Sequence, residues 1–179
     1  MLRRDNTVLV LIDIQGKLAT LMHEREQLFA NLQILTRGAR VLELPILWLE
    51  QYPRGLGPTI PEIAGLLPDL QPLPKISFSA CGLPEFVRRL ARTGRRQVLL
   101  AGIEAHVCVY QTGRDLLAGG YRVEVVADAV SSRTAANRRL GLQRLEAAGA
   151  LLTSVEMALF ELLGRAEGPE FKQIAALVK

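Results

Sequence analysis

The sequence predicts an α/β protein whose mainly parallel sheet is covered by helices on both faces, a three-layer α/β/α arrangement. Short apolar runs, typical of strands buried on both faces, alternate with longer segments of helical periodicity along the whole chain. The 179 residues are about the length of one domain, and 49% hydrophobic residues are enough for a core. We therefore expect one domain over residues 1–179.

Strands are predicted where the chain is apolar without interruption. The first such run ends in a carboxylate at Asp13 and suits a central strand. The predicted strands cover residues 7–13, 46–50, 73–75, 97–102, 122 to about 128, and 150–152.

Helices are predicted between the strands, where apolar residues recur at helical spacing. Pro84 at a first helical position, Gly94 just past a helix end and the capping-box pattern Thr153–Glu156 mark helix boundaries. The predicted helices cover residues 24–43, 83–92, 106–118, 134–148, 153–163 and 169–178.

Residues 51–74 depart from this alternation. They contain six prolines and three glycines, with one possible helical turn near residues 60–67. Long irregular segments inside a compact domain are usually functional loops. We expect this loop to shape a binding site.

The charge distribution argues against a nucleic-acid partner, although the net charge is +4. The arginines at 88, 89 and 92 and at 138, 139 and 144 fall on the polar sides of predicted helices. Aromatic residues are only 5% and do not alternate with them as stacking platforms. No apolar run is long enough to span a membrane, and no signal-peptide cleavage site follows the start. These features predict a cytoplasmic protein without a membrane partner.

The two cysteines, Cys81 and Cys108, are not expected to form a structural disulfide or a zinc site. A free cysteine is most often a small buried hydrophobic residue. No glycine-rich phosphate-binding pattern occurs, so no organic cofactor is expected.

Parallel α/β sheets bind ligands beyond the carboxyl ends of their strands. Three reactive side chains follow predicted strands: Asp13, Lys75 and Cys108. Each has a plain alternative, since Asp13 could cap a helix, Lys75 could lie at the surface and Cys108 could be core packing. The fold predicts that the three side chains meet in one pocket.

A thiol, an ammonium and a carboxylate in one pocket suit nucleophilic catalysis. A helix amino terminus and a nearby ammonium are expected to lower the pKa of the Cys108 thiol, so that a thiolate attacks a carbonyl carbon. Free amides around the turn from Glu104 to Cys108 could hold the developing oxyanion. Asp13 is the candidate to carry the proton from the thiol to the leaving group.

Three segments resemble the signature regions of the isochorismatase-like hydrolase superfamily, in order and in spacing. They are residues 10–15 (VLIDIQ), Pro74–Lys75 and residues 101–109 (AGIEAHVCV). Residues 50–59 (EQYPRGLGPT) further resemble the isochorismatase domain-containing branch of that superfamily.

The resemblance implies a six-stranded sheet in the Rossmann-like order 3-2-1-4-5-6 and a catalytic triad of Asp13, Lys75 and Cys108. It also implies a cis peptide bond just before Glu104, with the backbone amides of Glu104 and Cys108 turned toward an oxyanion. Members of the superfamily hydrolyse nicotinamide, carbamoyl-amines, ureido compounds or the vinyl ether of isochorismate. The fold by itself does not select among these reactions.

Two departures from the family pattern stand out. Ala105 and His106 occupy the region where members of this kind often have threonine, which leaves no threonine hydroxyl there. Nicotinamidases of the family carry metal-binding histidines after the second strand, whereas the only histidines here are His23 and His106. We therefore expect no metal and no zinc-dependent nicotinamidase.

The candidate substrate pocket consists of Gln15, Gln51, Tyr52 and His106. His106 is not expected to be the base, because residues two apart on a helix face different sides. Apolar helix faces near residues 157–163 and 171–178 predict contacts in a homo-oligomer.

These observations together predict a cysteine hydrolase that cleaves a C–N bond in a small amide-like substrate through a covalent Cys108 intermediate. Two alternatives stay open. One is a binding or scaffold protein that keeps the fold without turnover, and the other is a redox-responsive thiol protein that uses Cys108 and Cys81.

Overall fold

A computed structural model describes all 179 residues and contains one six-stranded sheet in which every strand pair is parallel. The strand order is 3-2-1-4-5-6, so the fold class and order expected from the sequence are confirmed. The strands are β1 (Thr7–Ile12), β2 (Ile46–Gln51), β3 (Leu73–Lys75), β4 (Gln97–Ile103), β5 (Arg122–Ser131) and β6 (Leu151–Thr153).

Nine α-helices connect and flank the strands. A short 3₁₀ turn (Ala80–Gly82) follows β3, and a π-helical turn (Ala105–Val109) joins β4 to the next helix. The helices are α1 (Gly16–Thr20), α2 (Arg25–Val41), α3 (Pro53–Leu56), α4 (Pro61–Ala64), α5 (Pro84–Arg92), α6 (Tyr110–Ala118), α7 (Ala135–Ala147), α8 (Val155–Leu163) and α9 (Gly168–Leu177).

The sheet separates two apolar cores, one on each face. Leu9 and Leu11 of β1 point into a core formed with α2, α8 and α9, whereas Val8, Val10 and Ile12 point into a core formed with α5, α6 and α7. Every residue of β1 is buried, as its continuous apolar sequence predicts for a central strand. No helix is both long and apolar enough to cross a membrane.

Glycine at position 102 allows β1 and β4 to approach closely. Gly102 has φ +117°, and a Cβ built there would lie 2.1 Å from the carbonyl oxygen of Ile12. A side chain therefore cannot be accommodated without moving one of the two central strands. The contact joins Ile12, the residue directly before Asp13, to Gly102, which lies two residues before Glu104.

Several elements differ from the sequence prediction. β5 continues to Ser131 rather than ending near Asp128, because its pairing shifts register and resumes at Val130, opposite Gly102. The loop of residues 51–74 contains α3, which was not predicted, and α4, which lies within the helical turn predicted near residues 60–67; both are single turns that begin at a proline. The short helix α1 was not predicted, since five residues are too few to show a period.

Part of the helix faces predicted to make oligomer contacts packs inside the chain, and the homo-oligomer stays a prediction. Leu159 and Leu162 of α8 and Ile174 of α9 are buried in the core that α2 lines. The large exposed apolar side chains of the protein lie mostly elsewhere: Leu21, Tyr52, Ile76, Phe78, Val87, Leu140, Leu151, Leu152 and Met157.

Candidate active site

The carboxyl ends of β1, β3 and β4 bring Asp13, Lys75 and Cys108 together. Lys75 Nζ lies 2.7 Å from Asp13 Oδ2, and both side chains are almost completely buried, with 0% and 2% exposed. Cys108 lies in the π-helical turn after β4, buried beside both of these charges. The three residues predicted from separate parts of the sequence therefore share one location.

The Lys75 ammonium is fully occupied by oxygen acceptors. Besides Asp13 Oδ2, Nζ donates to Gln51 Oε1 at 2.6 Å and to the carbonyl oxygens of Phe78 and Ser77 at 3.0 and 3.2 Å. An ammonium has only three protons, so none remains for a further acceptor. Lys75 is not a surface lysine, and its charge acts on its neighbours without a free proton to donate.

The carboxylate of Asp13 has one oxygen without a hydrogen-bond partner. Oδ2 accepts from Lys75, whereas the buried Oδ1 accepts from no group. The thiol of Cys108 adjoins this carboxylate. Asp13 is not a helix cap, because α1 begins after Gln15 with no side-chain capping bond. A buried unsatisfied oxygen is costly in a folded protein and is commonly found at functional sites.

The ionisation of this pair differs from the sequence expectation. Burial raises the pKa of Asp13, and the positive charge of Lys75 offsets part of that rise. Burial, followed by the negative charge of Asp13, raises the pKa of the Cys108 thiol to about 12. The expected lowering of the thiol pKa is therefore wrong, because burial and Asp13 outweigh the pull of Lys75. At neutral pH the sulfur is a thiol beside a proton acceptor.

The turn that carries Cys108 is held from two sides. The Ile103–Glu104 peptide bond is cis. The Glu104 carboxylate accepts from the backbone N–H and from Nε of Arg133, and His106 Nδ1 lies 2.9 Å from Ser132 Oγ. These contacts tie the turn to the segment after β5. The oxyanion role of the Glu104 and Cys108 amides stays a prediction.

Helix α7 holds the same turn from behind, through a glycine that the sequence analysis missed. A Cβ built on Gly141 would lie 2.6 Å from the backbone carbonyl atoms of Ala105. Only a residue without a side chain allows the helix backbone to pack this closely. No local sequence signal marks Gly141, because the contact joins segments that are far apart in the chain.

The four predicted pocket residues differ in exposure. Gln15 is completely buried, and its side-chain amide forms hydrogen bonds with backbone groups. It shapes the site but has no exposed surface that a substrate could contact. Gln51, at the site, and His106, which contacts Ser132, are both half-buried. Tyr52 is 51% exposed, in a left-handed backbone conformation at the end of β2. Gln51 as a partner of Lys75 was not foreseen.

The second cysteine is set apart from these residues. Cys81 is half-buried in the 3₁₀ turn between β3 and α5, and no disulfide joins it to Cys108. Burial raises the pKa of its thiol to about 11, and the charge of Asp115 adds to the rise.

Comparison with known proteins identifies the fold and its relatives. The family model described as the isochorismatase domain matches residues 7–157. The secreted isochorismatase effector Isc1 of Phytophthora sojae is 41% identical over 97% of this chain and 85% of its own length. Human isochorismatase domain-containing protein 2 is 40% identical over 97% of this chain and 83% of its own length.

Solved structures give the same result. The MAR1 ribonuclease of Caenorhabditis elegans has a TM-score of 0.92 and 38% identity, covering 99% of this chain and 91% of its own. YcaC of Pseudomonas aeruginosa, solved with covalent acrylamide, has a TM-score of 0.93 and 25% identity, covering 98% and 90%. YcaC of Escherichia coli, described as an octameric hydrolase, has a TM-score of 0.93 at 24% identity, covering 98% and 89%.

Proposed function

This chain belongs to the isochorismatase family and has its hydrolase fold, and from that premise we propose that it cleaves a C–N bond in a small amide-like substrate through a covalent intermediate on Cys108. One observation supports this proposal above all others. The buried carboxylate of Asp13, whose Oδ1 has no hydrogen-bond partner, adjoins a buried thiol that is protonated at neutral pH. A proton acceptor next to a nucleophile is the arrangement that activates a thiol only as it reacts.

The first half-reaction forms a thioester. Cys108 Sγ attacks the carbonyl carbon of the substrate, and its proton passes to Asp13 Oδ1 as the S–C bond forms. The tetrahedral intermediate then collapses, the C–N bond breaks, and Asp13 returns the proton to the departing nitrogen. The amine leaves, and Asp13 is again a carboxylate.

The second half-reaction uses water. Asp13 takes a proton from a water molecule as the oxygen attacks the thioester carbon. The C–S bond then breaks, the proton returns to the sulfur, and the acid product leaves a free thiol. Asp13 therefore carries one proton in each direction per half-reaction, which requires a carboxylate with one oxygen free of other partners.

The other groups stabilise charge in this mechanism. The Lys75 ammonium, which has no spare proton, balances the negative charge that Asp13 carries before and after each transfer. The backbone amides of Glu104 and Cys108 are the proposed oxyanion donors, and a donor of this kind contributes about 3 to 4 kcal/mol in well-studied enzymes. Tyr52 and His106 are proposed to line the substrate pocket, and no metal takes part.

A panel of amides and ureides, tested with wild type and Cys108→Ala in parallel, examines the proposal. We expect turnover of at least one substrate by the wild type and a loss of at least about 10³-fold in kcat for the variant, as for other nucleophile replacements. Equal turnover by the two proteins would reject covalent catalysis by this sulfur.

Acrylamide offers a second test that needs no knowledge of the natural substrate. The Pseudomonas aeruginosa relative was solved with this small amide bound covalently. We expect intact-mass analysis to show one acrylamide adduct on the wild type, and peptide mapping to assign it to Cys108. An adduct confined to Cys81 would contradict the assignment of the nucleophile.

The remaining expectations concern partners and location. We propose a small-molecule substrate, a homo-oligomer as described for Escherichia coli YcaC, and a cytoplasmic location. Cell fractionation tests the location against the secreted state named for the Phytophthora relative. Incubation with labelled RNA tests our expectation of no nucleic-acid partner against the ribonuclease description of the Caenorhabditis protein. Measurement of molar mass in solution tests the oligomer.

The binding-protein and redox alternatives predict different experimental results. A silent binding protein would give no turnover and no acrylamide adduct. A redox-responsive protein would form a Cys81–Cys108 disulfide or a sulfenic acid in peroxide. The raised pKa values of both thiols disfavour this second alternative, because oxidation follows thiolate character.

A further inference from the structure

Gln51 is the one side chain besides Asp13 that accepts a hydrogen bond from the Lys75 ammonium. Its Oε1 lies 2.6 Å from Lys75 Nζ and 4.0 Å from Cys108 Sγ. The other two acceptors of this ammonium are backbone carbonyl oxygens of the segment after β3. Gln51 therefore touches the cation and also approaches the sulfur.

The amide of Gln51 is held in one orientation. Nε2 donates to the carbonyl oxygen of Ile76 at 2.6 Å, while Oε1 accepts from Lys75. A rotated amide would place its NH₂ group against the ammonium and its oxygen against a carbonyl oxygen, so both contacts select the same orientation. The oxygen of this amide is committed to Lys75.

The backbone of Gln51 is fixed as well, by the buried side chain of Gln15. Gln15 Oε1 accepts from the backbone N–H of Gln51 at 2.6 Å. Gln15 Nε2 donates to the carbonyl oxygens of Gln51 and Gly57 at 3.1 and 2.7 Å. The carboxamide of Gln15 thus pairs with the end of β2 as a neighbouring strand would, and it holds the start of the following turn.

The geometry points to Gln51 as a positioning residue, fixed by Gln15, that holds the Lys75 ammonium against Asp13 and presents a neutral oxygen to the Cys108 sulfur. This inference rests on the proposed function, and it departs from the sequence-based view of Gln51 as a substrate contact. Neutrality is the important property. A second carboxylate at this position would add a negative charge beside a thiol whose ionisation Asp13 already opposes.

The first experiment measures the rate at which iodoacetamide alkylates Cys108 at a fixed pH of about 8, where the rate is proportional to the thiolate fraction. The proteins carry Cys81→Ala so that one thiol reports. We expect Gln51→Glu, which keeps the shape of the side chain, to slow alkylation by about tenfold, the effect of one pKa unit. Gln173→Glu, on the exposed surface of α9, is the matched control and should react at the wild-type rate.

The second experiment separates positioning from substrate binding. Gln51→Met keeps the length of the side chain but removes the acceptor for Lys75. With the best amide of the panel, we expect kcat to fall about tenfold while KM stays within about threefold, because binding common to ground and transition states is not lost. Circular dichroism and thermal unfolding confirm that the compared proteins are folded.

Three results would overturn the inference. One is alkylation of Cys108 in folded Gln51→Glu at the wild-type rate. Another is a rise in KM with unchanged kcat for Gln51→Met, which would make Gln51 a substrate ligand. The third is a wild-type Cys108 that reacts with neither iodoacetamide nor any amide, in which case the proposed function falls too. If only the results with the Gln51 variants contradict the inference, the proposed mechanism at Cys108 is unaffected.

Discussion

Cys108 and Cys81 occupy turns that face the same core, yet the carboxylates beside the two thiols have different surroundings. Burial and a neighbouring carboxylate raise the thiol pKa at both positions, to about 12 and about 11. Asp115, the carboxylate beside Cys81, is exposed and accepts from Ser79 Oγ at 2.5 Å. Asp13, beside Cys108, is buried with a free oxygen and a buried cation.

The comparison shows that a perturbed pKa does not by itself identify a nucleophile. Both sulfurs are protonated at neutral pH, so neither cysteine is a thiolate in the resting protein. The two sites differ in whether a desolvated carboxylate oxygen is available to accept the proton of the thiol. The following predictions test that distinction at each of the two turns.

The largest effect is expected from removing the acceptor. Asp13→Asn should lower kcat by about 10² to 10⁴-fold, the usual contribution of general acid–base catalysis. It should also raise the iodoacetamide rate of Cys108, because a negative charge that opposes thiolate formation is gone. Asp115→Asn is the matched variant at Cys81 and should leave kcat unchanged. A parallel fall in kcat and alkylation rate in Asp13→Asn would argue for a damaged fold instead.

Removing the cation should affect stability. Lys75→Met leaves the Asp13 carboxylate buried without its partner, and breaking a buried pair typically costs about 3 to 5 kcal/mol. Denaturant unfolding measures the change. The double variant Asp13→Leu with Lys75→Met should recover most of the lost stability, because no unpaired charge remains. If the double variant is no more stable than Lys75→Met, the buried charge is not the cause.

The glycine behind the Cys108 turn offers a sharper test. A Cβ on Gly141 would meet the backbone of Ala105 at 2.6 Å, whereas a Cβ on Gly119, at the end of α6, would meet no atom closer than 3.4 Å. Gly119 therefore has room for a methyl group, and Gly141 does not. We expect Gly141→Ala to lose about 1 to 3 kcal/mol, the usual cost of overpacking, with a fall in kcat.

Gly119→Ala is the control for this prediction and should change both properties little. Comparable losses in the two variants would mean that the close contact between Gly141 and the Cys108 turn is not the cause. Thermal unfolding and turnover of the same protein samples measure both properties together.

The smallest effect concerns alkaline stability. Both folded thiol pKa values lie above the unfolded value of about 8.5, so the folded state holds these protons more tightly. The contribution to stability is complete below about pH 8.5 and is lost as the pH rises through the folded values. The stability of wild type should therefore fall more steeply above about pH 9 than that of the Cys81→Ala Cys108→Ala double variant. Identical slopes would contradict the raised pKa values.

The fold could be predicted closely because its signals are local. The apolar run of β1, the proline at the start of α5 and the glycines after helices each act within a few residues. The register shift that lengthens β5 and the single turn α3 after β2 could not be predicted, since they depend on pairing and packing between distant segments.

The candidate site was predictable in its members and less so in its chemistry. A strand-end rule brings Asp13, Lys75 and Cys108 to one edge, and the structure does the same. The direction of the thiol pKa was wrong because it depends on burial and on the distance of Asp13, neither of which a sequence states. The bonds from Lys75 to Gln51 and to the carbonyl oxygens after β3 depend on the path of the loop.

The absence of a side chain at Gly102 has a mechanical consequence for Asp13 and Cys108. Asp13 follows Ile12, and Ile12 is paired with Gly102 in the centre of the sheet, where the two backbones are in contact. We expect the strand that leads to the carboxylate and the strand that leads to the sulfur to move together. An opening that admits a substrate is then expected to come from the surrounding loops, without a change in the spacing between Asp13 and Cys108.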